Sequence, residues 1–197
     1  MGIDSNKVYL TEPDQSPTTG AIQTAKVGTA APTDARTKLP DAWSSGLGYV
    51  GEDGVTVSGL IAAGDAVRDW AKKKIRVTRG EADPTVTIPA VQIDKGLASF
   101  MLHEGDFSVT EATAEHGEVI VLKFSGEPGP ANSVCINMKD EDRRVRVYMP
   151  SAQVTSIDDV SLKPDEPNKF SMTLSLNADA DGYYVYFIYD DGRVVGA

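Results

Sequence analysis

The chain has 197 residues, 41% apolar and 24% charged, with 19 Lys+Arg against 29 Asp+Glu and a net charge of -10. This composition excludes a disordered chain and fits one domain, or one domain plus an arm. The acidity argues against a general nucleic-acid binder, which needs clustered Lys and Arg to neutralise phosphates. The single cysteine, Cys135, excludes an internal disulfide framework and a multi-cysteine zinc site. The charge is uneven: residues 1–100 sum to -1 and residues 101–197 to -9.

The first residues, MGIDSNKVYLTEPDQSP, have neither a basic n-region nor an apolar h-region, so no signal peptide is expected. The longest apolar run, 183–189, is far below the ~20 residues that span a bilayer. Residues 1–45, with Pro13, Pro17, Pro32 and Pro40 and no sustained period, read as an extended arm. Such a segment stays mobile or lies against something else. The folded domain is then 46–197.

Residues 47–58 read as strand, acidic Glu52-Asp53-Gly54 turn, and strand. Residues 59–74 read as a mobile loop with a nascent helix, because Ala66, Val67, Trp70 and Ala71 share a helical face between Asp65 and Lys72-Lys73-Lys74. Two strands, 75–79 and 85–93, are joined by a turn at 80–84. Residues 94–103 form a helix with Asp94 as N-cap and Leu97, Phe100 and Met101 on one face, ending at Gly105. Strands follow at 118–124, 134–138, 144–149 (resuming through 153–155), 170–176 and 183–189, separated by Gly-, Pro- and Asp-rich turns. The fold class is therefore mainly β, a sandwich or barrel of short strands with one helix.

The chemical constellations are weak. Residues 46–51 (GLGYVG) match G-x-G-x-x-G but lie in or before a strand rather than opening a helix, so they read as a Gly-rich lead into a strand. Asp179-Ala-Asp181-Gly182 and Asp190-Asp191-Gly192 hint at calcium, yet Asp-Gly between apolar runs is the ordinary hairpin signal. His103 and His116, the only histidines, have no metal-ligand spacing. A Ser-His-Asp triad or a glycosidase carboxylate pair has no supporting motif. Cys135 packs or sits on the solvent face of a strand rather than acting as a nucleophile. Residues 139–144 (KDEDRR) are either a solvated hairpin tip or an inter-subunit salt-bridge patch. Lys72-Lys73-Lys74 beside Trp70 is too small a patch to anchor a polyanion. A carbohydrate-binding β-sandwich module, presenting Tyr183, Tyr184, Tyr186 and Tyr189, is the alternative reading. Alternation would put Tyr184 and Tyr186 on one face and Tyr183 and Tyr189 on the other.

Residues 27–58 carry a more specific pattern: Ala31-Pro32-Thr33-Asp34, then Trp43, then Gly48-Tyr49-Val50-Gly51-Glu52-Asp53-Gly54-Val55. This segment resembles the N-terminal region of the tail tube (major tail) proteins of long-tailed, siphovirus-type bacteriophages. The later order of loop, strand pair, helix and strand run is also similar to that family. Asp69-Trp70-Ala71 followed by lysines departs from the family's usual Trp-Gly-Gly-type continuation.

The resemblance implies a structural virion protein with no enzyme activity and no cofactor. Its fold would be a β-sandwich or half-barrel of about eight strands flanked by one α-helix. Six copies would form a ring, and rings would stack into a tube that conducts DNA from capsid to host without specific binding. It would be made in the bacterial host cytoplasm and meet tape measure, tail terminator and tail-tip proteins. The arm and the 59–74 loop would bridge subunits and rings. Their contacts would come from Pro32, Asp34, Trp43, Asp69, Trp70, Lys72, Lys73 and Lys74, joined by Arg143 and Arg144.

Overall fold

A computed structural model describes residues 3–15 and 19–193; Pro17 of the arm lies outside them. The chain is mainly β, with one α-helix and a large antiparallel sheet. In chain order the elements are β1 (Glu12–Pro13), β2 (Ile22–Lys26), β3 (Ser45–Gly46), β4 (Thr56–Ser58), β5 (Ala63–Arg68), β6 (Lys74–Arg79), β7 (Thr85–Ala90), α1 (Lys95–Met101), β8 (Phe107–Thr110), β9 (Val119–Leu122), β10 (Ala131–Asp140), β11 (Arg143–Ile157), β12 (Phe170–Asn177) and β13 (Tyr186–Asp190). Nine strands form the main sheet, in the order β3-β2-β10-β11-β12-β7-β4, with β1 added to β10 and β13 to β11. Two further sheets are two-stranded ribbons, β5–β6 and β8–β9. No helix among the described residues is long and apolar enough to cross a membrane.

The 15-residue β11 organises the sheet. One side pairs with β10; the other pairs first with β13 and then with β12. Val147 and Met149 point to the main core, but beyond them the core-facing residues are Ala152 and Val154, a change of parity. An extra residue opposite Asn132/Val134 makes the change, and a second irregularity follows between Val154 and Ser156. Bulges of this kind bend a strand and reset its faces. Pro150, which has no N–H to give the ladder, sits at the first one. The sequence expectation of two separate stretches, 144–149 and 153–155, is thereby replaced by one bulged strand.

The main core lies on one face of the main sheet. Ile88 of β7, Ile136 of β10, Met149 of β11 and Leu174 of β12 meet Leu97 and Phe100 of α1 there. Asp94 caps α1 as expected, its Oδ1 accepting the Leu97 N–H at 2.9 Å. The helix stops earlier than expected, at Met101, with Leu102 already extended. The opposite face of β2, β10 and β11 carries a second cluster of Ala25, Leu39, Trp43, Cys135 and Tyr148. Residues 39–43 thus cover the outer face of the sheet.

Other expectations are corrected. The nascent helix at 59–74 is not formed: from Ala63 onward these residues belong to the β5–β6 ribbon. β6 and β7 are not partners across the 80–84 turn, since β6 pairs β5 while β7 pairs β4 and β12. Within the segment read as an arm, Ile22–Lys26 is a strand hydrogen-bonded to β10. β8 has no counterpart in the sequence reading. Residues 46–51 make only β3 and isolated bridges, Gly20–Gly48 and Val50–Ala90. The Gly46 and Gly48 positions serve close packing: a Cβ on Gly46 would fall 2.1 Å from the Thr19 carbonyl oxygen, and Gly48 has φ +63° against Gln92.

Candidate functional site

The segment around Pro32, Asp34 and Trp43 is fastened to the subunit from beneath. Arg146, only 5% exposed, points to the outer face of β11. Its guanidinium donates to Asn137 Oδ1 (2.8 Å), the Asp34 carbonyl (2.7 Å) and the Thr37 carbonyl (3.1 Å). Asn137 Nδ2 donates to Gln23 Oε1 (3.1 Å), and Gln23 Nε2 to the Trp43 carbonyl (2.9 Å). This chain of hydrogen bonds crosses β11, β10 and β2 and ends on the covering segment. The guanidinium fork suits it, because three acceptors in different directions need several fixed donors.

The Asp34 carboxylate accepts the Arg36 and Thr37 N–H groups. Those bonds, the Thr37 backbone first, hold its carboxyl below the usual carboxylate range. Arg36 donates to Asp190 Oδ2 at 2.8 Å and to the Asp142 carbonyl. Trp43 is fully buried, edge-on to Tyr148 at 6.0 Å, and Pro32 is half-buried.

Arg143 and Arg144 sit where the β10–β11 turn closes, with Glu141 at φ 52°. Arg143 binds Asp140 Oδ2 (3.0 Å) and the Val8 carbonyl (2.8 Å), and its guanidinium carbon lies 6.0 Å from the Tyr9 ring centroid. Arg144 pairs with Asp14 (3.6 Å), and Lys139 with Glu12 (3.4 Å). The 139–144 charge cluster therefore holds residues 8–14 of its own chain.

Asp69, Trp70 and Lys72, Lys73, Lys74 lie at and beside the tip of the β5–β6 ribbon. Asp69 closes the tip: its Oδ1 accepts the Lys73 N–H (2.7 Å), its N–H donates to the Lys73 carbonyl (2.9 Å), and Lys72 takes φ 62°. Trp70 is 102% exposed, and Ile75 66%. An indole fully in water has no intramolecular stabilisation to explain it. Arg68, Arg76 and Arg79 join the lysines, giving residues 63–79 six basic and two acidic side chains, net +4 in a chain of -10. The sequence reading singled out the three lysines and missed the arginines. A β reading of the segment would have placed Arg76 beside Lys74 on one face of β6 and Arg79 on the other face with Ile75 and Val77.

The candidate chemistries meet structural uses. Cys135 is buried, and burial pushes its thiol up to about 12, which removes thiolate character at neutral pH. Asp179 accepts the Asp181 and Tyr183 N–H groups (both 3.0 Å) and the Tyr186 hydroxyl. The hydroxyl, first among these, lowers the carboxyl, and the carboxylate in turn pushes Tyr186 up to about 12. Asp190 and Asp191 cap the turn that follows β13. No group of three or more His, Cys, Asp or Glu among the described residues is placed to hold a metal ion.

The four tyrosines make no common platform. Tyr184 packs on the main core and Tyr186 on the outer cluster, because β13 begins only at Tyr186. This corrects the placing of Tyr184 and Tyr186 on one face. Tyr183 stands at 62° to Tyr186, and Tyr189 tilts 52° against Tyr9.

The described residues thus form a large antiparallel sheet with one helix, two ribbons outside the main sheet and open strand edges. The family model described as phage tail tube protein matches residues 12–196, and the chain belongs to that family. A search of curated proteins gave no match. Membership points to a structural, non-enzymatic component of the phage tail.

Proposed function

We propose that this chain polymerises into stacked, hexameric rings that form the tail tube, the conduit through which DNA is ejected. The observation that carries the reading is the solvent-standing β5–β6 ribbon with Trp70 at its tip, on a chain of the tail tube family. A fully exposed aromatic flanked by cations has the character of an interface anchor. In this reading Asp69, Trp70, Lys72, Lys73 and Lys74 make inter-ring contacts. The segment carrying Pro32, held in place by Asp34 and Trp43, meets the neighbouring subunit, as does the turn bearing Arg143 and Arg144. Tape measure, terminator and tip proteins are its partners in the tail, and synthesis is in the host cytoplasm. Carboxylates of the C-terminal half line the lumen and repel phosphate, so DNA passes without binding.

Negative-stain electron microscopy of purified protein tests this. Rings or tubes are expected, and a protein monomeric at every concentration and storage time would sink the reading. Trp70→Ala is expected to reduce polymer yield at least about tenfold while leaving the monomer's Tm unchanged, as an exposed anchor requires. An equal loss of Tm would show the indole to be structural.

A further inference from the structure

Two ribbons leave the main sheet, and they are oppositely charged. β5–β6 is net +4, whereas residues 104–127, which contain β8–β9, hold Glu104, Asp106, Glu111, Glu115, Glu118 and Glu127 against Lys123, net -5. No charged side chain of residues 63–79 or 104–127 forms an ion pair among the described residues. Each ribbon also shows water an apolar stripe at strand spacing. Ile75 and Val77 on β6 are 66% and 41% exposed, and Val119 and Val121 on β9 are 42% and 44% exposed. The inner face of β8–β9 is already used, since Phe107 and Leu122 pack on the main core. Its outer face, Val119 and Val121 opposite Thr110 and Ser108, is left open.

We propose that the acidic β8–β9 ribbon is the receptor for the basic β5–β6 ribbon of a second copy of this chain. The proposal rests on the tail tube reading and names the partner surface within it. Charges left unpaired in the subunit, opposite in sign and flanking matched apolar stripes, are what complementary interfaces are built from. The two surfaces differ, so the contact is heterologous: each copy offers one ribbon and accepts the other. Such contacts propagate instead of closing as a dimer, which is what a growing tube needs.

The test uses two full-length variants, K73E/K74E/R76E on the basic ribbon and E111K/E115K/E118K on the acidic one. All six positions are exposed, and far-UV circular dichroism and Tm verify that each variant folds. Alone, each is expected to raise the critical concentration for assembly at least about tenfold, because like charges then face one another. Mixed in equal amounts, they are expected to co-assemble to within about threefold of wild type, since each supplies the charge the other lacks. Normal assembly of the acidic-ribbon variant, with the basic-ribbon variant inert, would overturn the proposal and leave the tube reading standing. Failure of the mixture to assemble would do the same. Retention of duplex DNA by the wild-type protein, abolished by the basic-ribbon changes alone, would make DNA the occupant and overturn it as well. A wild-type chain that never forms tubes would remove both readings. Independently of any variant, wild-type assembly is expected to weaken between about 0.05 and about 0.5 M NaCl, and a salt-insensitive polymer contradicts the proposal.

Discussion

Arg146 is a buried cation that forms no ion pair among the described residues and is held by carbonyl and amide oxygens from the covering segment and β10. Removing it strands three acceptors. Arg146→Ala is therefore expected to cost about 3 kcal/mol in urea denaturation, toward the upper range for a buried, charge-assisted hydrogen-bonded group. A change below about 1 kcal/mol would mean that the segment is held by packing alone. Around it, Asp34 and Asp190 are both held below the ordinary carboxyl value of 3.8, by the Thr37 N–H and the Arg36 guanidinium respectively. A carboxyl lowered in the folded state contributes stability above its unfolded pKa, and that contribution is lost as pH falls through the folded pKa. The covering segment is thus expected to loosen below about pH 4 and to be insensitive between pH 5 and 8. Trp43 fluorescence in a Trp70→Phe background reads this directly. Loosening near pH 6 would implicate a histidine instead.

At the scale of elements, the β5–β6 ribbon is an insertion inside a smaller hairpin. Ser58 of β4 pairs with Thr85 of β7, so the main sheet is already closed at the ribbon's base. Deleting residues 60–81 leaves Gly59, Ala82, Asp83 and Pro84 as a short hairpin loop. The truncated chain is expected to melt within about 3 °C of wild type, since loop shortening has a small entropic effect, and to remain monomeric. Loss of the fold would show that the ribbon contributes to the core. In α1, Asp94→Ala removes the one side-chain cap and is expected to cost about 1 kcal/mol.

Over the whole molecule the charge is more polarised than its division into halves suggests. The near-neutral first half contains the +4 ribbon, and its remainder is acidic. Open strand edges, with Phe187 and Tyr189 half in water on β13, are the liabilities that closure between copies would remove. Polymer formation should accordingly raise thermal stability by mass action, with Tm rising with protein concentration across the assembly threshold. Concentration-independent melting in samples that contain tubes would contradict this coupling.

What the sequence by itself determined follows from local signals. The Asp94 cap and the Leu97, Phe100 and Met101 face specify α1; the alternation of Met172, Leu174 and Leu176 specifies β12; the resemblance drawn from the Ala-Pro-Thr-Asp and Gly-Tyr-Val-Gly-Glu-Asp-Gly stretches agrees with the family match over residues 12–196. These depend on neighbours in the chain, through capping and periodicity. The tertiary structure alone decided the rest. β2 has no distinguishing period and is a strand because β10 lies beside it. Residues 63–79 have both a helical spacing at Ala66, Val67 and Trp70 and a strand spacing at Lys74, Arg76 and Thr78, and cross-strand pairing selected the second. The two faces of β11 change at bulges that only the partner strands reveal. Trp43 and Arg146 are buried because each meets residues over a hundred positions away, at Tyr148 and at Asp34. Burial and pairing are non-local, so a reading along the chain finds the residues but not what they touch.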